Sequence, residues 1–134
     1  MFVDTSAWFH LADPKASSHA LARELLLHSR QRLVTSNFIF DEAVTLIRAR
    51  VGHRLAVEFG EVLRASAITT VVSVTASDEA AAWDHFRRHD DKEWSFTDCT
   101  SFVVMRRLGI RCAFSFDDDF RQAGFDVVPA GGPG

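Results

Sequence analysis

Apolar and polar residues along this chain switch repeatedly between short apolar runs and helical spacing. Met1-Phe-Val-Asp4 is a short apolar run ended by an acid and reads as a strand, with Pro14 punctuating the next segment. Leu21, Leu25 and His28, with Ala22 and Leu26 beside them, predict a helix over 17–30. Residues 32–35 read as a second strand. Asn37 is a good N-cap for a helix to about Val51, and Gly52 stops it. Leu55, Phe59, Val62 and Leu63 form the apolar stripe of a helix over 53–67. The β-branched run 69–74 predicts a buried strand. Ser77 is expected to cap a helix to about His89, with acids in its first turn. After a charged loop over 90–95 come a helix over 97–108 closed by Gly109, a strand over 111–115, a helical turn over 117–123 and a last strand over 126–128.

This alternation predicts an α/β fold, a single-domain α/β/α sandwich around a mainly parallel sheet of 4–5 strands. The domain is expected to span 1–128, with Pro129-Ala-Gly-Gly-Pro-Gly134 as a flexible tail. Such sheets bind ligands beyond the carboxyl ends of their strands, where the following helices begin. Sequence position therefore becomes site position.

Composition narrows the partners. The 134 residues are 47% hydrophobic and 25% charged, as in an ordinary globular domain, and the net charge is −3. That balance excludes a protein that holds nucleic acid by bulk charge, so any recognition of nucleic acid is local. Of the 15 basic side chains only Lys15 and Lys92 are lysines. The start shows no secretory pattern, and the longest uncharged run, 65–77, is too short to span a bilayer. Cys99 and Cys112 lack C-x-x-C spacing and read as buried thiols in a cytoplasmic protein, with a disulfide between them possible in principle.

Four acids stand where the fold rule places a site. Asp4 ends the first strand, Asp117 follows the strand over 111–115, Asp98 opens the helix over 97–108, and Glu42 lies in the first turns of the Asn37 helix. Glu42 flanks the stripe Ile39, Ala43, Leu46 and Ile47, while Asp41 shares the outer face with Thr45 and Arg48, so Glu42 is the inward acid. Clustered carboxylates repel unless they take up protons or meet a cation. An all-oxygen set without His or Cys favours Mg²⁺ or Mn²⁺ over Zn²⁺ and suits phosphoryl transfer to water. Each acid also has a purely structural reading: Asp4 as a cap at Thr5-Ser6, Asp98 as the far end of a capping box from Ser95, Asp117 as a turn cap.

The same residues carry a family resemblance. Met1-Phe-Val-Asp-Thr-Ser-Ala-Trp8, Ser36-Asn-Phe-Ile-Phe-Asp-Glu42, Ser95-Phe-Thr-Asp98 and Ala113-Phe-Ser-Phe-Asp-Asp-Asp-Phe120 resemble, in order and spacing, the motifs of PIN-domain nucleases, especially the VapC-type toxins of toxin–antitoxin pairs. The resemblance implies a metal-dependent endoribonuclease with Asp4, Glu42, Asp98 and Asp117 as both catalytic and metal-binding residues. It implies Mg²⁺ or Mn²⁺ as cofactor, Asp119 as an auxiliary acid, and Thr5, Ser6 and Ser95 as hydroxyls that position carboxylates or water. It also implies an RNA substrate, a homodimer and a small antitoxin whose tail blocks the acidic pocket. A housekeeping RNA-processing nuclease and a catalytically silent RNA- or protein-binding module share the fold.

Other residues are weighed beside this set. Arg87, Arg88 and Lys92 can contact RNA phosphates or form a solvated charge run. Trp94 can stack on an unpaired base or anchor its loop. His85 and His89 are four apart, a spacing able to hold Zn²⁺, but a solvated face is the expectation. Trp8, Trp83 and Phe86 are expected in the core. A phospho-receiver domain would need a Lys after a late strand, and a dehalogenase-type phosphatase an Asp-x-Asp where Asp4-Thr-Ser6 stands.

Overall fold

In the computed structural model, which describes residues 1–130, five parallel strands form one sheet in the order β3-β2-β1-β4-β5. The elements run β1 (Phe2–Val3), α1 (Thr5–Ala12), α2 (His19–Leu27), β2 (Leu33–Ser36), α3 (Asn37–Arg50), α4 (His53–Ala65), β3 (Thr69–Val72), α5 (Ala76–Arg88), α6 (Phe96–Leu108), β4 (Cys112–Phe114), α7 (Asp119–Gln122) and β5 (Asp126–Val128). The parallel α/β architecture expected from the sequence is present. Of the expected tail, residues 131–134 lie outside the described residues.

The strand order determines where the site falls. From β1 the chain steps outward to β2 and β3, then returns to the other side of β1 for β4 and β5. The direction reverses between β1 and β4, and the segments after these two strands diverge to leave a crevice at the carboxyl ends. Phe2, Val3, Ala113 and Phe114 are wholly buried, which fixes this central pair. Val3 pairs with Phe114, and the Asp4 N–H donates to the Phe114 carbonyl at 3.0 Å. The chain ends of both strands are thereby held side by side.

Several local expectations are corrected. Thr5–Ala12 is a helix, α1, in a stretch where the sequence pattern predicts no element. Thr75, not Ser77, caps α5, through a box in which Asp78 answers the Thr75 N–H. Ser36, not Asn37, caps α3; Asn37 Oδ1 instead accepts from the Val74 N–H at 2.8 Å. β3 is an edge strand with partly open side chains rather than a buried one, because no strand of the described residues lies beyond it. Leu21 and Val62 face water, while Ala22, Leu26, Ala56, Gly60 and Leu63 turn inward. Gly60 of α4 faces the Phe40 ring of α3, where a β-carbon would make ordinary contact at 3.4 Å. Trp8 is in the core as expected, but Trp83 and Phe86 are 59% and 40% exposed. Both cysteines are free; Cys99 is buried, Cys112 only partly so. Burial, with Asp98 nearby, pushes the Cys99 thiol up to about 11, which makes it unreactive.

Candidate active site

Each acid is delivered to the crevice by a different local device. Asp4 is 2% exposed and directly succeeds β1. It occupies the N-cap position of α1, yet its carboxylate does not cap the helix. Its Oδ2 instead accepts from Ser115 Oγ at 2.9 Å and from Ser6 Oγ at 3.1 Å. Ser6 Oγ accepts in turn from the Phe116 N–H at 3.0 Å, and Ser115 Oγ from the Asp117 N–H at 3.1 Å. The two hydroxyls thus lace the end of β4 to the start of α1. Ser115 is buried and central to this arrangement, and sequence reasoning did not single it out. Its signal was its position just before the Phe116-Asp117 turn, opposite Asp4 across a parallel pair.

Glu42 rises from the second turn of α3, half-buried, and its Oε1 accepts from Thr5 Oγ1. Ile39, Ala43 and Ile47 are wholly buried on the adjoining face, so the helix presents Glu42 beside its packed stripe. Asp98 both closes a capping box and faces the other acids. Its N–H donates to Ser95 Oγ at 3.0 Å, and its Oδ2 accepts from the Ser95 N–H at 2.9 Å. The structural reading of Asp98 is therefore correct, and it leaves the second carboxylate oxygen free. Asp117 stands at the mouth. Asp119 opens α7 with its carboxyl in hydrogen-bonding reach of Asp98.

The electrostatics show that these groups share one field. Burial pushes the Asp4 carboxyl up to about 7, and Asp98 and Asp117 add to the rise; the Ser115 hydroxyl and the nearby Thr5 N–H only partly oppose it. Asp98 rises to about 6, chiefly through burial, with Asp119 and Glu42 contributing. Burial also raises Asp117, with His10 pulling it back, and raises Asp119 with help from Asp117. Asp4, Asp98, Asp117 and Asp119 thus all rise in one shared site. None forms an ion pair with Lys or Arg among the described residues. No three His, Cys, Asp or Glu side chains there are gathered tightly enough to clasp one ion. The acids are therefore electrostatically coupled but less closely clustered than the sequence suggested. Their chemistry, all hard oxygen, fits Mg²⁺ or Mn²⁺.

The residues weighed for RNA contact lie differently. Trp94 is 7% exposed, stacked on His85 with ring centroids 5.2 Å apart and set edge-on against Phe102. It anchors its loop and does not offer a platform for a base, because the ring faces are covered. His85 and His89 are half-buried against that indole rather than on a solvated face. Arg87 and Arg88 both pair with Asp84, at 2.7 and 3.1 Å, and Lys92 lies 3.9 Å from Asp91. These three basic side chains are not drawn to the acids.

Comparison with known proteins matches this arrangement to a family. The PIN-domain family model covers residues 1–126. The chain is 43% identical over 128 residues to the 23S rRNA-specific endonuclease VapC20 of Mycobacterium tuberculosis, strains CDC 1551 and H37Rv, covering 96% of this chain and 97% of the relative. The crystal structure of M. tuberculosis VapC20, described as a sarcin–ricin loop cleaving toxin, superposes with a TM-score of 0.88 over 92% of this chain and 95% of that one. FitAcB from Neisseria gonorrhoeae shares the fold alone, with a TM-score of 0.66 at 15% identity over 94% of each chain. The chain that brings five carboxylates to the β1/β4 crevice belongs to the PIN-domain family.

Proposed function

We propose that this protein is a divalent-cation-dependent endoribonuclease, the toxin of a toxin–antitoxin pair, acting in the cytoplasm on the sarcin–ricin loop of 23S rRNA. One observation carries the nuclease reading. Five acids from four separate segments meet at the sheet's switch point, and none of them is paired with a Lys or Arg among the described residues. The choice of rRNA rests on the similarity to VapC20 over nearly the whole chain. Asp4 and Asp98 would be the principal residues to hold Mg²⁺ or Mn²⁺, with Glu42 and Asp117 as the supporting acids. Bound there, the cation shields phosphate charge and makes water a stronger nucleophile.

The chain's own groups do the rest. Ser6 and Ser115 hold one Asp4 oxygen, so the other is free to serve the site. The capping box fixes Asp98 on a rigid helix end. Thr5 orients Glu42, and Glu42 or Asp117 aligns the attacking water and takes its proton. Asp119 is auxiliary. In-line attack forms the new P–O bond as the P–O3′ bond breaks, and the departing 3′-oxygen takes a proton from solvent, leaving a 5′-phosphate and a 3′-hydroxyl.

Two apolar surfaces point to protein partners. A groove of about 300 Å³ lined by Trp8, Leu11, Leu26, Phe59 and Leu63 supports a small protein antitoxin. Trp83 and Phe86, stacked with centroids 5.8 Å apart and edge-on to Phe96, supply the exposed aromatic face that a homodimer would cover. No helix of the described residues is long and apolar enough to cross a membrane.

The test is incubation of ribosomes and total RNA with the protein, with and without Mg²⁺ or Mn²⁺, and then mapping of 5′ ends. The expected result is one cation-dependent cut in the sarcin–ricin loop, reduced by orders of magnitude in Asp98→Asn. Cleavage at the wild-type rate by Asp4→Asn and Asp98→Asn, or no cleavage by the wild type with either cation, contradicts the proposal.

A further inference from the structure

His10 lies one helical turn beyond Ser6 on the same face of α1, the face that meets the end of β4. Its ring packs against Phe116 with centroids 4.6 Å apart, and Asp117 is close enough for each group to feel the other's charge. Neither ring nitrogen makes a hydrogen bond within the described residues, and Nδ1 is sealed from solvent. A proton on Nδ1 would be a buried donor without an acceptor, so the neutral ring carries its proton on Nε2. Nε2 is then the nitrogen left to meet an incoming molecule. Burial favours the uncharged form, against the pull of Asp117 and Asp13. His10 thus places a ring N–H beside Phe116 and Asp117 that no group of the described residues uses. An Arg there would pair with Asp117 and cancel a carboxylate that the site needs.

We propose that His10 Nε2–H is a phosphate-binding donor that holds the RNA backbone at the mouth of the acidic crevice, over Phe116 and beside Asp117. An RNA strand approaching five carboxylates is repelled, and donors at the rim must offset that repulsion before the scissile phosphate can settle. The contact falls on a phosphate neighbouring the reacting one, so it strengthens binding of substrate and transition state alike. This inference rests on the nuclease reading of the same site.

The experiment measures cleavage of a synthetic sarcin–ricin loop hairpin with Mg²⁺ by the full-length wild type, His10→Phe and His10→Gln. Phe keeps the packing on Phe116 and removes the donor; Gln keeps an N–H near the Nε2 position. His10→Phe is expected to raise KM about tenfold, with kcat within about threefold of wild type, at an unchanged melting temperature. His10→Gln is expected to recover most of the loss. Wild-type KM in a folded His10→Phe overturns the inference and leaves the nuclease reading standing. So does a His10→Gln no better than His10→Phe, or a loss confined to kcat. If His10→Phe melts early, His10→Leu assayed below its melting temperature decides instead: a KM raised about tenfold supports the inference, and a wild-type KM overturns it. A wild-type protein that cuts neither the hairpin nor total RNA overturns both.

Discussion

Asp4 shows how one residue sets stability against chemistry. A fully buried carboxylate beside Asp98 and Asp117 holds its proton up to about pH 7. A folded pKa above the unfolded one gives stability that is full below the ordinary carboxylate range, near pH 4. That stability is lost as pH rises through the folded value. The site is therefore most costly above pH 7, where the proposed cation binding needs it charged. Asp4→Asn, which keeps an acceptor for Ser6 and Ser115, is expected to raise stability at pH 8 by about 1–3 kcal/mol while abolishing cleavage. Denaturant melts at pH 5 and pH 8 check this: the gain should be present at pH 8 and shrink at pH 5. Cleavage at subsaturating cation should rise between about pH 5.5 and 8 as protons leave Asp98 and then Asp4. Asp78 has the opposite sign. The Arg107 guanidinium, bonding both its oxygens at 2.8 and 2.9 Å, holds its carboxyl below the ordinary range. Its contribution is present above about pH 4 and is lost as the solution is acidified further.

Elements place these residues, and two helix ends do most of the placing. The α6 capping box uses one Asp98 oxygen and leaves the other for the proposed site. Ser95→Ala is expected to lower stability by about 1 kcal/mol and to reduce cleavage more than stability alone explains, because Asp98 loses its rotamer lock. Thermal melts beside cleavage rates separate the two effects. Arg107→Ala, which strips the buried Asp78 of its partner, is expected to cost about 2–3 kcal/mol without touching kcat. At this scale the sequence was informative wherever a stop signal was sharp: Gly109, at φ 69, ends α6 where expected. It was poor where two residues compete for one duty. Thr75 and Ser77 both look like caps, and only the reciprocal bond from Asp78 selects Thr75. α1 was hidden because Thr5–Ala12 has no long apolar stripe; it forms because Trp8 is pinned under Phe59 and bonded to Thr35.

At the scale of the whole molecule, the strand order does what no single motif could. Asp4, Glu42, Asp98 and Asp117 were legible in the sequence because a parallel sheet sends every strand end and helix start to one rim. Ser115 and His10 were not, because their roles depend on side-by-side register and on which helix face meets β4. Exposure was equally hidden. Trp83 and Phe86 sit three apart and mark a face, but spacing does not say whether that face meets the core or a second copy. If they meet a second copy, Trp83→Asp is expected to convert a dimer to a monomer in sedimentation or light scattering, with an unchanged circular dichroism spectrum. A wild type that is already monomeric at tens of micromolar would contradict the dimer. The central claim, that the crevice acids together capture a divalent ion, is tested most directly by calorimetric titration of Mn²⁺ into the wild type and Asp4→Asn at pH 6.5, in buffers of different ionisation enthalpy. The expected result is binding that releases protons in the wild type and is lost or greatly weakened in Asp4→Asn. Equal binding by both proteins, or no binding by either, would contradict it.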